Sequence, residues 1–512
     1  MNQTDSALEK IAHGTLLALG GIIISKLLGY TYRLIAARFG TEEYGILSLG
    51  LAVFNILTLI GVLGLNQGAL RYVSFYREKA NFSRLKEIIT SAVASSALIS
   101  ILLGALLFIF SDFIATAFFH EPKLGIVLKI LAFIVPFDTC KNILFSIIRG
   151  FQNVIYEIYS RNITETAVKV FLTLILSFLG YKLLGATIAF SIAILVSFSM
   201  AVYYLFKTYN ILKHKGSFIL FDKELMYYSL PLVLNNFTIL VLLWADTLII
   251  GYFKAAHDVG IYNAAGPSAA LMYLFPQALL SLFLPVLTGL YAKGNMEDFK
   301  NVYKTAIKWV TLVNALAFIL FFLSPKELLS LFFGDAYAEG AVVLVILAAG
   351  YLIYYLSLIS TNVLLIHEKT RLIFFISAAG AALNLVLNVL FIQFYGIIGS
   401  ALATATAYFF MSLLLFHHSF KLTKIKILFN KNIFKISLAA LLSAALTFFF
   451  TSFLSLQPAL TLLVRSVLAS VLYLVMIFLF NVLEEHDFLL LKEASKRLNS
   501  PRLERFLKRV VK

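Results

Sequence analysis

The sequence predicts an all-α polytopic membrane protein of about fourteen transmembrane helices, on three observations. Of 512 residues, 61% are hydrophobic and only 13% charged, with mean hydropathy +0.92, far outside the composition of soluble domains. Apolar runs of about twenty residues, enough to cross a hydrocarbon core, recur from one end to the other. The chain also repeats itself. Phe39-Gly40 followed by Tyr44-Gly45-Ile46 returns as Phe253-Lys254 followed by Val259-Gly260-Ile261, displaced by about 214 residues with one inserted. Lys86 and Ala92 return as Lys300 and Ala306, Phe118-Phe119 as Phe332-Phe333, and Tyr181…Gly185-Ala186 as Tyr395…Gly399-Ser400, at the same displacement.

The first repeat holds runs at roughly 12–37, 44–70, 87–117, 123–150, 154–180 and 184–209. The polar residues before the first run precede no A-x-A-like cleavage site, so that helix is expected to stay. The second repeat holds runs at roughly 224–253, 258–290, 299–323, 340–366, 370–394 and 397–418. Pro231, Pro267, Pro276 and Pro285 break or kink its first two spans, while Gly29 and Gly61 loosen spans one and two. Six spans per repeat is an even number, so two six-helix bundles are expected to be related by a pseudo-two-fold axis along the membrane normal, with binding in the cleft they define. Two additional helices, near 432–455 and 459–483, have no counterpart. The domains are therefore 1–215, an N-terminal six-helix lobe; 216–420, a C-terminal six-helix lobe; 421–485, the additional pair; and 486–512, a basic amphipathic tail expected on the inner surface.

Charge sets the orientation. With an inner N-terminus, alternate loops, the tail and Lys10 hold about 31 of the 42 Lys and Arg, against about five at Arg38, Lys123, Lys182, Lys254 and Lys326. A multi-pass protein of the plasma membrane with both termini cytoplasmic follows. Basic juxtamembrane loops meeting anionic inner-leaflet lipid account for the net charge of +16 without nucleic acid. Cys140 is the only cysteine, which excludes an intramolecular disulfide and any cysteine-based zinc site.

Charge inside the spans is concentrated in the first half. Lys26, Tyr30 and Arg33 follow i, i+4, i+7 spacing on one face of span one. A cation at the centre of a membrane helix costs roughly 2.5–3.5 kcal/mol, so such a stripe normally faces a wet cavity that receives something anionic. Span four carries Asp138, Lys141 and Arg149; span five carries Arg161, Glu165 and Lys169. Pairing within and between these helices is one reading, but the six cations of the eight charges outnumber the two anions. The candidate phosphate-binding residues are thus Lys26, Arg33, Lys141 and Lys169, with Asp138 and Glu165 assigned to charge pairing or ion coupling.

The second half is almost bare of charge. Asp246, deep in span seven, must pair with a cation, or take up a proton or sodium ion. Amides and phenols replace charge around it. Tyr30, Asn235, Asn236, Tyr262, Asn263, Tyr351, Tyr355 and Asn384 are candidate cavity residues for sugar hydroxyls and ring faces, with Tyr273, Tyr354 and Asn388 of the same kind; interfacial anchoring is the other role open to any one tyrosine. No G-x-x-x-x-G-K-[ST] phosphate loop occurs and the histidines are scattered, with the pair His417-His418 too short a cluster for a metal site, so neither an enzyme, a built-in ATPase nor a resident metal is expected.

The motifs Ser25-Lys26-Leu27-Leu28-Gly29-Tyr30…Arg33…Ala37-Arg38-Phe39-Gly40…Tyr44-Gly45, Arg149-Gly150-Phe151-Gln152, and Asp246…Phe253…Gly260-Ile261-Tyr262…Ala265 resemble the polysaccharide transporter family of oligosaccharide flippases. That family shares a superfamily with multidrug and toxin extrusion transporters and the lipid II flippase. The resemblance implies a polyprenyl- or dolichyl-linked oligosaccharide as cargo, moved from the inner to the outer leaflet by alternating access. It implies membrane lipids as partners, with glycosyltransferases or polymerases of the same pathway, and no cofactor beyond a coupling proton or sodium ion. It matches Arg33 and Arg38 to arginines of the lipid II flippase and places Lys26 where that protein has another. The two additional helices look like the pair that borders its lipid-tail groove. An ion-coupled multidrug antiporter and a non-transporting envelope-assembly scaffold are the alternatives. The antiporter requires an anionic or neutral cleft and the scaffold requires fully paired charges.

Overall fold

The computed structural model describes residues 20–21, 24–210, 216–427, 431–453, 457–484 and 487, with the side chains of all but Leu234, Asn235 and Leu282. The expected surface tail therefore lies outside the described residues except at Asp487. The described residues are helical and contain no strand. In chain order they form α1 (24–37), α2 (Thr41–Val62), α3 (Leu65–Glu78), α4 (Phe82–Phe113), α5 (Pro122–Gly150), α6 (Val154–Glu157), α7 (Glu165–Phe178), α8 (Lys182–Thr208), α9 (Lys223–Phe253) and α10 (Ala256–Ala270). There follow α11 (Leu274–Ala292), α12 (Met296–Leu323), α13 (Pro325–Phe332), α14 (Ala341–Ile366), α15 (Thr370–Thr423), α16 (Lys431–Ser452) and α17 (Pro458–Leu479).

Local chemistry sets these limits. The side chains of Asn81, Asp222 and Asn295 accept from the first-turn amides of α4, α9 and α12. Pro122 and Pro458 start α5 and α17, where a missing N–H costs nothing. Gly64, at φ 69°, separates α2 from α3 inside the second expected span. The expected break in span eight is the 3₁₀ turn Leu271–Tyr273, whereas Pro231 is carried inside α9. Helix α15 is two helices in one run, joined at Gly396 with φ 56° and ψ −138°.

Helix covers most of the described residues of every expected segment, and ten runs among the described residues are long and apolar enough to cross a membrane. The difference lies in four places. Helix α1 is described only from residue 24, α5 and the α6–α7 segment are rich in charge, and α15 merges two segments. The chain is a multi-pass membrane protein.

The helices pack as two compact units, neither continuous in sequence. The first comprises Met1–Pro267, Phe332–Val343 and Ser377–Thr404; the second comprises Ser268–Leu331, Leu344–Ile376 and Ala405–Lys512. In the first, α5 packs against α2, α3, α4 and α8, burying Leu128, Leu131, Val135, Ile143 and Ile147. Arg84 at the start of α4 reaches Asp222 at 2.7 Å and Glu224 at 3.0 Å, tying α4 to the start of α9.

In the second unit, α16 and α17 are pinned to the α12–α13 segment at three levels. Arg465 bonds Glu327 at 3.0 Å and the Leu323 carbonyl at 2.8 Å, and the Tyr473 hydroxyl donates to the Leu312 carbonyl at 2.9 Å. At the other end Lys308 is paired with Asp487 and with Glu484 at 3.1 Å, while the Trp309 indole donates to Asp487 at 2.9 Å. Leu323, Ala439, Ala469, Tyr473 and Ile477 fill the space between these bonds. Breaking a buried pair of this kind costs about 3–5 kcal/mol, so the appended helices belong firmly to this unit.

Candidate functional site

Two clusters of opposite character stand in the first unit. The cationic one begins on α1, where Lys26 is exposed and Arg33 half-buried. Arg33 lies close enough to both Lys26 and Lys169 for their charges to repel. Lys169, on α7, stands over the Tyr32 ring at 4.8 Å and the Phe190 ring at 5.7 Å. Among the described residues none of these three cations has a carboxylate within ion-pair distance. Arg33 has one long hydrogen bond, to the Tyr44 hydroxyl at 3.5 Å.

Lys141 stands differently. It is 2% exposed and held by Asp138 at 2.6 Å and Glu165 at 2.9 Å. Pairing, one of the two readings open to this residue, is the one whose contacts are formed. Arg149 and Arg161 likewise both meet Glu157, each at 3.3 Å. Glu157 and Arg161 belong to the stretch where α6 passes into a π-helical turn, Ile158–Thr164. A π turn adds a residue to the helical turn, so Arg161, within it, and Glu165 and Lys169, on α7, do not keep the i, i+4, i+8 register of an uninterrupted α-helix.

The anionic cluster surrounds Asp246 on α9. The Tyr262 hydroxyl and the Asn388 amide donate to its carboxylate, as do the Thr404 hydroxyl at 2.6 Å and the Asn384 amide at 3.5 Å. Ser400 fixes the Asn388 carbonyl at 2.7 Å, and Asn384 also donates to Thr404 at 2.9 Å. Four neutral donors thus hold the carboxylate, and no cation among the described residues joins them. The Asn384 side-chain oxygen, on a residue 1% exposed, accepts no hydrogen bond there. Of the two roles open to Asp246, pairing with a cation is not formed among the described residues. Carboxylate, hydroxyl and amide oxygens are ligand types of a hard cation; a proton on the carboxylate meets the same need for charge balance.

The remaining candidates divide between the units. In the first, Tyr30 packs edge-on against Phe333 at 5.9 Å, Asn263 bonds Thr247, and the Asn236 amide nitrogen finds no partner among the described residues. Asn235 lies outside the described side chains. In the second, Tyr351 stacks on Tyr355 at 5.2 Å and Tyr354 on Tyr408 at 4.3 Å, with Tyr273 against Tyr355. The tyrosines form a stacked group rather than scattered anchors.

Tyr32, Tyr44, Phe190, Ser400 and Thr404 were not singled out by charge or hydropathy, but the repeat contains a signal for three of them. Shifted by 214 residues, Asp246 corresponds to Tyr32 and Thr404 to Phe190. Equivalent positions thus frame a carboxylate network in one repeat and an ammonium over two rings in the other.

Comparison with known proteins agrees with this architecture. The family model described as polysaccharide biosynthesis protein matches residues 11–290, and the MatE model matches residues 231–390. The "Probable low-salt glycan biosynthesis flippase Agl15" of Haloferax volcanii is 25% identical, covering 48% of this chain and 52% of its own. The "Capsular polysaccharide biosynthesis protein CapF" of Staphylococcus aureus is also 25% identical, covering 56% and 75%. The solved structure of the lipid II flippase MurJ in an inward closed conformation aligns with TM-score 0.70 at 18% identity, over 91% of this chain and 98% of that one. The chain belongs to the polysaccharide biosynthesis protein family, in the superfamily of oligosaccharide flippases that its own motifs resemble.

Proposed function

We propose that this protein moves a lipid-linked oligosaccharide from the inner to the outer leaflet of the plasma membrane by alternating access, with both termini cytoplasmic. The observation that carries the reading is the cationic cluster. Lys26, Arg33 and Lys169 lie in segments that the sequence reads as membrane spans, with no carboxylate within ion-pair distance among the described residues, an arrangement that is costly unless an anion compensates it. A phosphate or pyrophosphate diester supplies that anion, and Arg33 can meet it with a planar fork while the two lysines act as point charges. Lys141 keeps its carboxylates and stabilises the helices behind. Hydroxyl-rich sugars match the amide of Asn236, unpartnered among the described residues, and the polyprenyl chain stays in the bilayer. Membrane lipids and the glycosyltransferases or polymerases that make and use such a cargo are the partners of this reading.

Exporting an anion runs with an inside-negative membrane potential, which favours it by about 2.3 kcal/mol per charge per 100 mV. A cation carried inward by Asp246 adds to that driving force. A sodium ion would be held by Asp246, Asn384 and Thr404, and a proton by Asp246 itself; either supplies positive charge that enters as the anion leaves. An organic-cation antiporter would need an anionic or neutral path where this unit presents three cations.

The test is mass spectrometry of lipids that co-purify with the protein from native membrane. Polyprenyl- or dolichyl-phosphate glycans enriched over bulk lipid support the reading, and their absence with ordinary phospholipid retained contradicts it.

A further inference from the structure

The repeated motif that ends in Gly45 and Gly260 has so far no role. In the first unit these glycines meet each other. A Cβ on Gly45 would overlap the Ala256 carbonyl oxygen and stand 2.9 Å from the Gly260 nitrogen. One on Gly260 would overlap the Thr41 carbonyl oxygen and stand 3.3 Å from the Gly45 nitrogen. The contact is reciprocal: residues of equal position in the two repeats, on α2 and α10, each need the other to lack a side chain. Backbones this close gain packing and Cα–H···O contacts that any Cβ removes.

Neighbouring contacts follow the same rule of exchange. Phe119 of the first repeat lies against Gly251 on α9, within 3.0 Å of a Cβ there. Phe333, its counterpart, packs on Tyr30 of α1, and the nearby Tyr337 hydroxyl donates to the Ala37 carbonyl at 2.8 Å. Thr41 and His257 hydrogen-bond at 2.7 Å across the same junction. The charge count assigns this end of the bundle to the outer face.

Tyr44 connects the junction to the cationic cluster. Its hydroxyl accepts from Arg33 at 3.5 Å and donates to the Asn263 carbonyl on α10 at 3.2 Å, and its ring meets Tyr337 edge-on. Asn263 in turn bonds Thr247, the residue after Asp246.

We infer that the Gly45–Gly260 contact is the seal that closes the outer end between the repeats, and that Tyr44 makes it responsive to an anion held by Arg33. An anion drawing Arg33 toward itself removes the partner of the Tyr44 hydroxyl and loosens the bond that hydroxyl makes across the junction. Transport requires the two glycines to part. The role in transport rests on the alternating-access reading above, whereas the contact itself is observed.

The experiment places spin labels at Glu42→Cys and Ala255→Cys in the full chain and measures their distance distribution, with farnesyl pyrophosphate as the anionic probe. Gly45→Ala is expected to populate a longer distance without probe. Gly61→Ala, a glycine of the same helix that faces Thr139 and Ser100 instead, leaves the distribution as in the parent. Adding the probe to the parent shifts it in the same direction, and Tyr44→Phe abolishes that shift. A folded Gly45→Ala protein with the parent distribution overturns the seal, as does equal widening by Gly61→Ala. If Gly45→Ala does not fold, Gly260→Ala takes its place under the same criterion. A Tyr44→Phe protein that responds like the parent overturns the link. A parent that ignores the probe while Gly45→Ala still widens overturns the link and counts against the pyrophosphate cargo, leaving the seal standing.

Discussion

Replacing Lys26 and Arg33 together by Ala abolishes headgroup translocation in reconstituted vesicles while the protein inserts and folds normally. Each charge-assisted hydrogen bond to a phosphate oxygen contributes about 1.5–3 kcal/mol, so each single variant should lose roughly ten- to a hundredfold in cargo affinity. Arg33→Lys separates charge from geometry. It retains the charge but not the fork, and should recover part of the loss. Fold stability should change little or rise, because neither cation is engaged by a carboxylate among the described residues and their mutual repulsion is relieved. Lys141 provides the contrast: Lys141→Met strands Asp138 and Glu165 and should show first as lost thermal stability. Undiminished flipping by the double variant at parent expression would remove these residues from the mechanism.

The second large effect is expected at Asp246. With four donors directed at the carboxylate, Asp246→Asn turns an amide N–H₂ toward groups that also donate, and it removes the charge that a coupling ion needs. Translocation should fall to a basal rate that no longer rises with an imposed proton or sodium gradient. Because the substitution also disturbs hydrogen bonding, Asn384→Ala is the companion variant. It withdraws the one unpartnered oxygen of the cluster while keeping the carboxylate, and should weaken dependence on sodium but not on protons. Unaltered gradient dependence in Asp246→Asn would end the coupling role. Comparing the two variants under each gradient identifies the ion.

Much of the fold was legible because lipid imposes one simple rule: a segment must be apolar for about twenty residues and satisfy its own backbone. What blurred the reading was local. The π turn at Ile158–Thr164 arises inside a charge-rich segment with no glycine or proline to announce it. The join at Gly396 looks like a boundary in sequence, yet the helix resumes at once.

The sites were legible in proportion to charge. Lys26, Arg33 and Asp246 are conspicuous because an ion in an apolar run is costly, whichever fold surrounds it. Pairing within and between spans four and five was one reading of their charges, but that Glu165 meets Lys141 from a different helix, beside Asp138, is an approach about which periodicity carries no information. Asn388, Ser400 and Thr404 are small neutral residues among many, and only the carboxylate they surround distinguishes them. Internal repetition was the one long-range signal available. It matched Gly45 to Gly260 without saying that the two would touch.

The central claim is that the pathway carries a lipid-borne anion. It is tested most directly by reconstituting the protein in vesicles and following two labelled compounds in parallel: a polyprenyl-pyrophosphate oligosaccharide and a lipophilic organic cation. Protein-dependent appearance of the oligosaccharide headgroup in the opposite leaflet, lost in the Lys26→Ala, Arg33→Ala double variant, with no movement of the cation, is the predicted result. Movement of the cation with the oligosaccharide left in place would contradict it.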